Sequence, residues 1–193
     1  MDIKKFTDTL SLLEALKYRT RHSWTSTGRR ESVAEHSWRL ALMAYLVKDE
    51  FPDADINKVI LMCLVHDIGE AVTGDIPAFY KTDADEVKED AAVKSILSSL
   101  PSPYREELSD LFCEMNALST TEAKIYKALD KMEVVLQHNE ADISTWLPLE
   151  YTENIAYGEK EVAFSEFFTS LKASLNEASL KKIEEAKENS QCL

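Results

Sequence analysis

The chain has 193 residues, of which 45% are hydrophobic, so it can fold around one sizeable core without covalent staples. Its formal net charge of −13 argues against non-specific nucleic-acid binding, which needs clustered cations. No run of residues approaches the roughly 18 apolar positions of a membrane span. Only 4 Gly and 5 Pro interrupt the chain, and this scarcity of helix breakers favours an all-α, single-domain fold.

The N-terminal third is predicted to contain two helices joined by a polar loop. Leucine and alanine recur at helical spacing and predict a first helix over residues 3–18. Residues 19–30 carry four arginines in this acidic chain and form either a solvated loop or an anion contact, since guanidinium can bind phosphate through two parallel hydrogen bonds. Ser32 and Glu35 predict a capping box that opens the next helix, with His36 in its first turn.

The segment of residues 64–70 carries the strongest functional signal. It closes an apolar run that belongs in a core, and His66, Asp67 and Glu70 follow this run directly. If the helix continues, His66 and Glu70 lie one turn apart on one face, with Asp67 close by. Such crowding is typical of a metal or proton-transfer site, because buried charges are paired or bind a metal. A structural histidine beside a helix-end acid is the alternative at this stage.

The remaining segments are predicted to be mostly helical. Gly74 and Pro77 mark a turn that could bring Asp75 back toward the preceding helix end. On the helix predicted after a second capping box, Asp130 lies beside an apolar stripe, and Glu133 is expected to face solvent. The predicted segments are a helix over residues 83–100, a helix through residues 108–115, a capping box at 119–122 with the helix that follows it, a packed loop over 139–158, and helices over 159–175 and 177–188.

The three cysteines bear on the compartment. Cys63, Cys113 and Cys192 are far apart in sequence and form no C-x-x-C pair, and residues 1–6 lack the apolar segment of a secretory leader. We therefore expect a cytoplasmic protein with reduced thiols, in which Cys63 and Cys113 pack as small hydrophobic residues.

Four motifs in order resemble the HD-domain metal-dependent phosphohydrolases, in the branch that contains bacterial 5'-deoxynucleotidases and their eukaryotic HD domain-containing relatives. The motifs lie at residues 31–37, 64–70, 73–77 and 127–133. The resemblance covers roughly residues 10–140 and implies an all-α helical bundle, often a homodimer. We expect one HD domain over residues 1–193, with a core at about 10–140 and C-terminal helices at 159–190 packing on it.

The resemblance also implies roles for individual residues. It implies that one divalent ion is held by His36, His66, Asp67 and Asp130. Manganese, cobalt, iron, zinc and nickel all suit such mixed nitrogen and oxygen ligation. Glu70 is implied to be the catalytic carboxylate, Asp75 to face the sugar and the attacking water, and Arg21 to orient the phosphate. The family typically has a tryptophan after that arginine, whereas this chain has His22 with Trp24 nearby, so selectivity for 2'-deoxyribose stays open.

The predicted function is hydrolysis of (deoxy)nucleoside 5'-monophosphates to nucleoside and phosphate, with no nucleic-acid or membrane partner. Two alternatives remain at this stage. One is an HD hydrolase of a triphosphate or signalling nucleotide, although the chain has neither a second basic cluster for a triphosphate nor a Gly-Tyr-Pro signature. The other is a non-catalytic metal-binding interaction protein, which would need neither Glu70 nor Asp75.

Overall fold

The computed structural model describes residues 1–191, and the side chains of residues 1–189, so Cys192 lies outside the described part. The described chain is mainly helical, which confirms the all-α class, and its sheet is one short hairpin. The elements are α1 (Ile3–Leu13), β1 (Thr20–Trp24), β2 (Arg30–Ser32), α2 (Val33–Leu46), α3 (Ile56–Val65), α4 (Glu70–Thr73), α5 (Asp83–Ser99), α6 (Tyr104–Ala117), α7 (Thr121–Glu140), α8 (Glu150–Ala156), α9 (Glu159–Val162) and α10 (Glu166–Gln191). Among residues 1–191, no helix combines the length and the apolar character that crossing a bilayer requires.

Helix α7 is the centre of the core. Its predicted apolar stripe is buried, with Ile125, Leu129 and Met132 all 0% exposed. Helices α2, α3 and α10 pack against it, so α7 is covered on most of its surface. Polar side chains on such a helix must find partners inside the protein, because an unpaired buried charge is costly.

Residues 20–32 form a hairpin, so the segment predicted as a polar loop consists of two short strands joined by an exposed turn. Strands β1 and β2 pair antiparallel, and Gly28 adopts φ +81° in the connecting turn, a conformation that favours glycine. Along β1 the side chains of Arg21 and Ser23 point inward and are 7% and 2% exposed. The inward residues are polar, so the alternation of hydrophobic and polar residues that identifies most strands is missing here.

Helix α3 ends at Val65 and does not continue through Glu70, so His66 and Glu70 do not lie one turn apart on a single helix face. His66 is its C-terminal cap, and the chain runs through tight turns until α4 begins at Glu70. Gly69 lies so close to α5 that an added Cβ would be 3.0 Å from Cγ of Glu89. The polar residues after α3 therefore share one side of the protein because of these turns and not because of helical periodicity.

Several predicted boundaries differ from the structure. The first helix ends at Leu13 and is followed by a 3-10 turn. The N-cap of α7 is Thr120, and Glu122 forms no capping box with it. The expected loop over residues 139–158 contains the end of α7, a 3-10 turn and α8. The two expected C-terminal helices are the short α9 and the single long α10. The capping box of Ser32 and Glu35 is confirmed.

Of the two cysteines whose side chains are described, Cys63 is buried as expected, whereas Cys113 is exposed. Cys113 lies on the outer face of α6, whose apolar residues Leu111 and Met115 face the core.

Candidate functional site

Three helical elements bring two imidazoles and two carboxylates together. His36 comes from the first turn of α2, His66 and Asp67 follow α3, and Asp130 comes from α7. Nε2 of His36 lies 3.4 Å from Oδ1 of Asp130, and Nε2 of His66 lies 3.0 Å from Oδ2 of Asp67 and 3.9 Å from Oδ1 of Asp130. Bonds of about 2.1 Å to a metal place neighbouring ligand atoms about 3.0–3.4 Å apart. The separations of 3.0 and 3.4 Å match those of ligands around a divalent ion, and the separation of 3.9 Å would have to shorten when an ion binds.

The two imidazole rings are oriented so that their Nε2 atoms face this centre. Nδ1 of His36 bonds to Oε2 of Glu133 at 2.5 Å, and Nδ1 of His66 donates to the carbonyl oxygen of Cys63 at 2.9 Å. Both Nε2 atoms are buried and have no hydrogen-bond partner among the described residues. Metal-ligating histidines are held in this way, with the second nitrogen bonded to a carboxylate or a carbonyl.

Glu133 is 0% exposed, so the expectation that it faces solvent was wrong. The hydrogen bond to His36 accounts for its burial, since a carboxylate is tolerated inside when a cationic or donor group pairs with it. The sequence could have indicated that Glu133 is buried, because it lies three residues after Asp130 on a helix that is buried on most sides. This spacing places both acids near one face of the helix.

The electrostatic field around the centre keeps its carboxylates charged. Burial acts to raise the pKa of Asp67, but His66, His36 and Arg21 outweigh it and hold the value well below the usual range. Burial likewise opposes ionisation of Asp130, and Lys127, 2.9 Å from it, leads the groups that hold its pKa low. Burial and Arg21 act to lower the pKa of His36, yet Glu133 and Asp130 raise it to about 10. Ligation through His36 would therefore release a proton.

Arg21 lies between two acids of the site. Its Nη1 atom is 3.4 Å from Oδ2 of Asp67 and 4.0 Å from Oδ1 of Asp75, and its Nε atom is 3.4 Å from Oε2 of Glu31. Burial acts to lower the pKa of Arg21, but these three carboxylates raise it, so the guanidinium stays charged. Gly74, at φ +76°, turns the chain so that Asp75 reaches this arginine. A buried cation beside a candidate metal centre can bind an anionic group.

Glu70 differs from Asp67 and Asp130 because its surroundings raise its pKa and do not lower it. It is 5% exposed, and its Oε2 atom has no hydrogen-bond partner within residues 1–189. Burial first, and then the charges of Asp67 and Asp75, raise its pKa to about 9. In this environment Glu70 holds a proton at neutral pH and can donate it.

These groups line a cleft of about 450 Å³, a size that suits a ligand such as a nucleotide. His66, Asp67, Glu70 and Asp130 all contribute to its lining. His22 lines the same cleft, packs edge-on against Phe79 with 5.4 Å between the ring centroids, and bonds through Nε2 to Oε1 of Glu150 at 2.8 Å. Sequence reasoning missed Glu150 and its neighbour His138, because they lie more than a hundred residues from His22 and follow no periodic pattern.

Comparisons with known proteins place these residues in context. A family model of the HD domain matches residues 13–172. The 5'-deoxynucleotidase HDDC2 of Homo sapiens is 36% identical over 135 residues, which cover 68% of this chain and 65% of the human protein. The 5'-deoxynucleotidase hdd1 of Schizosaccharomyces pombe is 31% identical over 136 residues, covering 66% of this chain and 68% of that protein. The match therefore spans slightly less than two thirds of the human relative's length.

Solved structures show the same architecture. A crystal structure described as a predicted metal-dependent phosphohydrolase from Magnetospirillum magnetotacticum MS-1 superposes with a TM-score of 0.81 and 27% identity, and covers 93% of each chain. A conserved hypothetical protein from Pyrococcus furiosus gives a TM-score of 0.68 with 26% identity, and covers 89% of this chain and 98% of that one.

Proposed function

Because the chain belongs to the HD-domain family, whose model matches most of its length, we propose that it is a metal-dependent phosphomonoesterase. Its substrates are nucleoside 5'-monophosphates, the 2'-deoxy series among them, and its products are the nucleoside and phosphate. One observation carries the proposal: two buried imidazole Nε2 atoms face two ionised carboxylates at 3.0 and 3.4 Å, and a buried arginine lies beside them. The 5'-deoxynucleotidase activity named for the relatives supports the choice of substrate.

In this proposal a single divalent ion is ligated by His36, His66, Asp67 and Asp130. The mixed donor set suits manganese, cobalt, iron, zinc or nickel. When bound, such an ion activates water and polarises the phosphoryl group. The orientation of the two rings supports this assignment, since Nδ1 of each is held by Glu133 or by the carbonyl of Cys63 and Nε2 of each faces the carboxylates.

The other residues of the cleft have separate tasks in the reaction. Arg21 binds the phosphate and neutralises part of its charge as the new P–O bond forms and the bond to the 5'-oxygen breaks. Glu70, which holds a proton at neutral pH because of its raised pKa, donates that proton to the leaving 5'-oxygen and then takes up the proton that the attacking water releases. Asp75 faces the sugar and the attacking water, and His22 contacts the nucleoside from the cleft wall.

The whole chain is proposed to form one HD domain, with α10 packed on α7. A homodimer is proposed because α2 exposes Trp38, Leu42 and Tyr45 at helical spacing, and they are 64%, 43% and 51% exposed. Burying such a stripe against a second copy would remove apolar surface from water. The net charge of −13 supports the absence of a nucleic-acid partner, and the free thiols of the described cysteines support a reducing compartment such as the cytoplasm.

The test is phosphate release by the purified protein from each ribo- and 2'-deoxyribonucleoside 5'-monophosphate. Assays run with EDTA and with added Mn²⁺, Co²⁺ or Zn²⁺. We expect release that EDTA abolishes and metal restores, with the deoxy series among the substrates. Triphosphates and signalling nucleotides belong in the same panel, and exclusive hydrolysis of one of these would replace the proposed substrate class. A metal-loaded protein that releases no phosphate from any nucleotide would refute the enzymatic proposal.

A further inference from the structure

A second group of ligating side chains lies on the wall of the cleft and shares no residue with the candidate metal centre. His22 comes from β1, His138 from the last turn of α7 and Glu150 from the start of α8. Nε2 of His22 and Nε2 of His138 lie 2.8 Å and 3.4 Å from the same carboxylate oxygen, Oε1 of Glu150. Their side chains are 15%, 5% and 3% exposed. We propose that these three residues form a second metal site, which binds a divalent ion such as Zn²⁺.

The hydrogen bonds around His138 leave a lone pair facing Glu150. Nδ1 of His138 donates to Oδ1 of Asn154 at 2.9 Å, and Nε2 faces the hydroxyl of Ser23, which can donate to it, so Nε2 is an acceptor. Both oxygens of Glu150 are placed to accept hydrogen bonds, Oε1 from His22 and Oε2 from the backbone N–H of Leu147, so the carboxylate is an acceptor as well. Two acceptors 3.4 Å apart repel each other unless a cation or a donor lies between them.

Without a metal, the lone pairs of His138 and Glu150 accept hydrogen bonds from two weaker donors. The hydroxyl of Ser23 lies 3.1 Å from Nε2 of His138, and the N–H of His22 reaches Glu150. An ion would replace both donors if the proton of His22 moved to Nδ1. That atom has no hydrogen bond to any described residue and can be solvated from the cleft.

The ligand set and its surroundings match those of known metal sites. Two histidines and a glutamate hold zinc in sites that keep an open position for water or substrate. Asn154 orients His138 through its second nitrogen, and the backbone N–H of Leu147 holds Oε2 of Glu150 at 2.7 Å. Such outer contacts fix the ligands of metal centres. All three ligands line the cleft, so the open position would face a nitrogen or oxygen group on the nucleoside side of a bound substrate.

Metal stoichiometry tests this site independently of any phosphatase activity. The chelator-stripped protein is dialysed against Zn²⁺, and bound metal per chain is measured by mass spectrometry. We expect two ions in the wild type, and one ion in each of Glu150→Gln, His22→Phe and the candidate-centre variant His66→Asn. The double variant of His66 and Glu150 should bind none. A single wild-type ion that Glu150→Gln retains and His66→Asn loses, or two ions retained in Glu150→Gln, would overturn the proposal.

A spectroscopic measurement and a matched variant separate the site from a hydrogen-bond network. In His66→Asn loaded with Co²⁺, a visible absorption band should appear, and it should vanish when Glu150→Gln is added. Ser23→Ala removes the hydroxyl that competes for His138, so it should bind the second ion at least as tightly as the wild type. Loss of the ion in Ser23→Ala, with wild-type helical content by circular dichroism, would contradict the proposal.

Discussion

Replacing Glu133 by glutamine tests whether this buried carboxylate tunes a metal ligand. Glu133 is 0% exposed, and its Oε2 atom bonds to Nδ1 of His36 at 2.5 Å. The glutamine carbonyl can accept the same hydrogen bond, so the ring keeps its orientation but loses the paired charge. Charge-assisted hydrogen bonds are about twice as strong as neutral ones. We expect metal affinity to fall by about 10- to 100-fold, or about 1.4–2.7 kcal/mol.

The assay is calorimetric titration of the metal-stripped protein with Mn²⁺ or Co²⁺. The matched control is Glu140→Gln, because Glu140 lies on the same helix but is 44% exposed and pairs with Arg39 at the surface. Exposed ion pairs contribute about 0–1 kcal/mol to stability, so this variant should bind metal within about twofold of the wild type. An unchanged affinity in Glu133→Gln, or an equal loss in both variants, would refute the argument that Glu133 acts through His36.

Glu70→Gln should lower kcat by at least about 100-fold while the bound metal measured by mass spectrometry stays constant, because an amide is too weak an acid and too weak a base to transfer the proton; normal turnover would remove Glu70 from the mechanism. Arg21→Lys should raise KM and lower kcat in steady-state assays, since an ammonium lacks the planar fork, and unchanged kinetics would argue against phosphate binding there. Gly69→Ala should destabilise the fold by about 1–3 kcal/mol in urea unfolding, because the added methyl group presses on Glu89, and an unchanged midpoint would contradict this. Burial lowers the pKa of Lys172 from 10.5 to about 8, so the folded state binds fewer protons than the unfolded state between these values. Stability relative to Lys172→Met should therefore rise by up to about 2 kcal/mol from pH 8 to pH 10, and parallel stability curves would count against it.

The sequence by itself determined the helical class and the local start signals of the helices. Scarce glycine and proline, apolar residues at helical spacing, and the capping box of Ser32 and Glu35 act over a few residues, so they can be read without knowing the fold. The residue types of the candidate metal set, His36, His66, Asp67 and Asp130, were also visible as polar groups next to apolar runs. Their roles remain proposals, but the structure brings all four together.

Only the tertiary structure decided which polar groups are buried and what they face. Glu133 was expected in solvent, yet its partner His36 lies 97 residues away in sequence. The bond from His22 to Glu150 spans 128 residues, and His138 joins them from a third element. No local pattern records such contacts, because they depend on how α7, α8 and the hairpin pack together. The inward-facing Arg21 shows the same limit, since a polar residue in the core interrupts the hydrophobic alternation by which a strand is recognised.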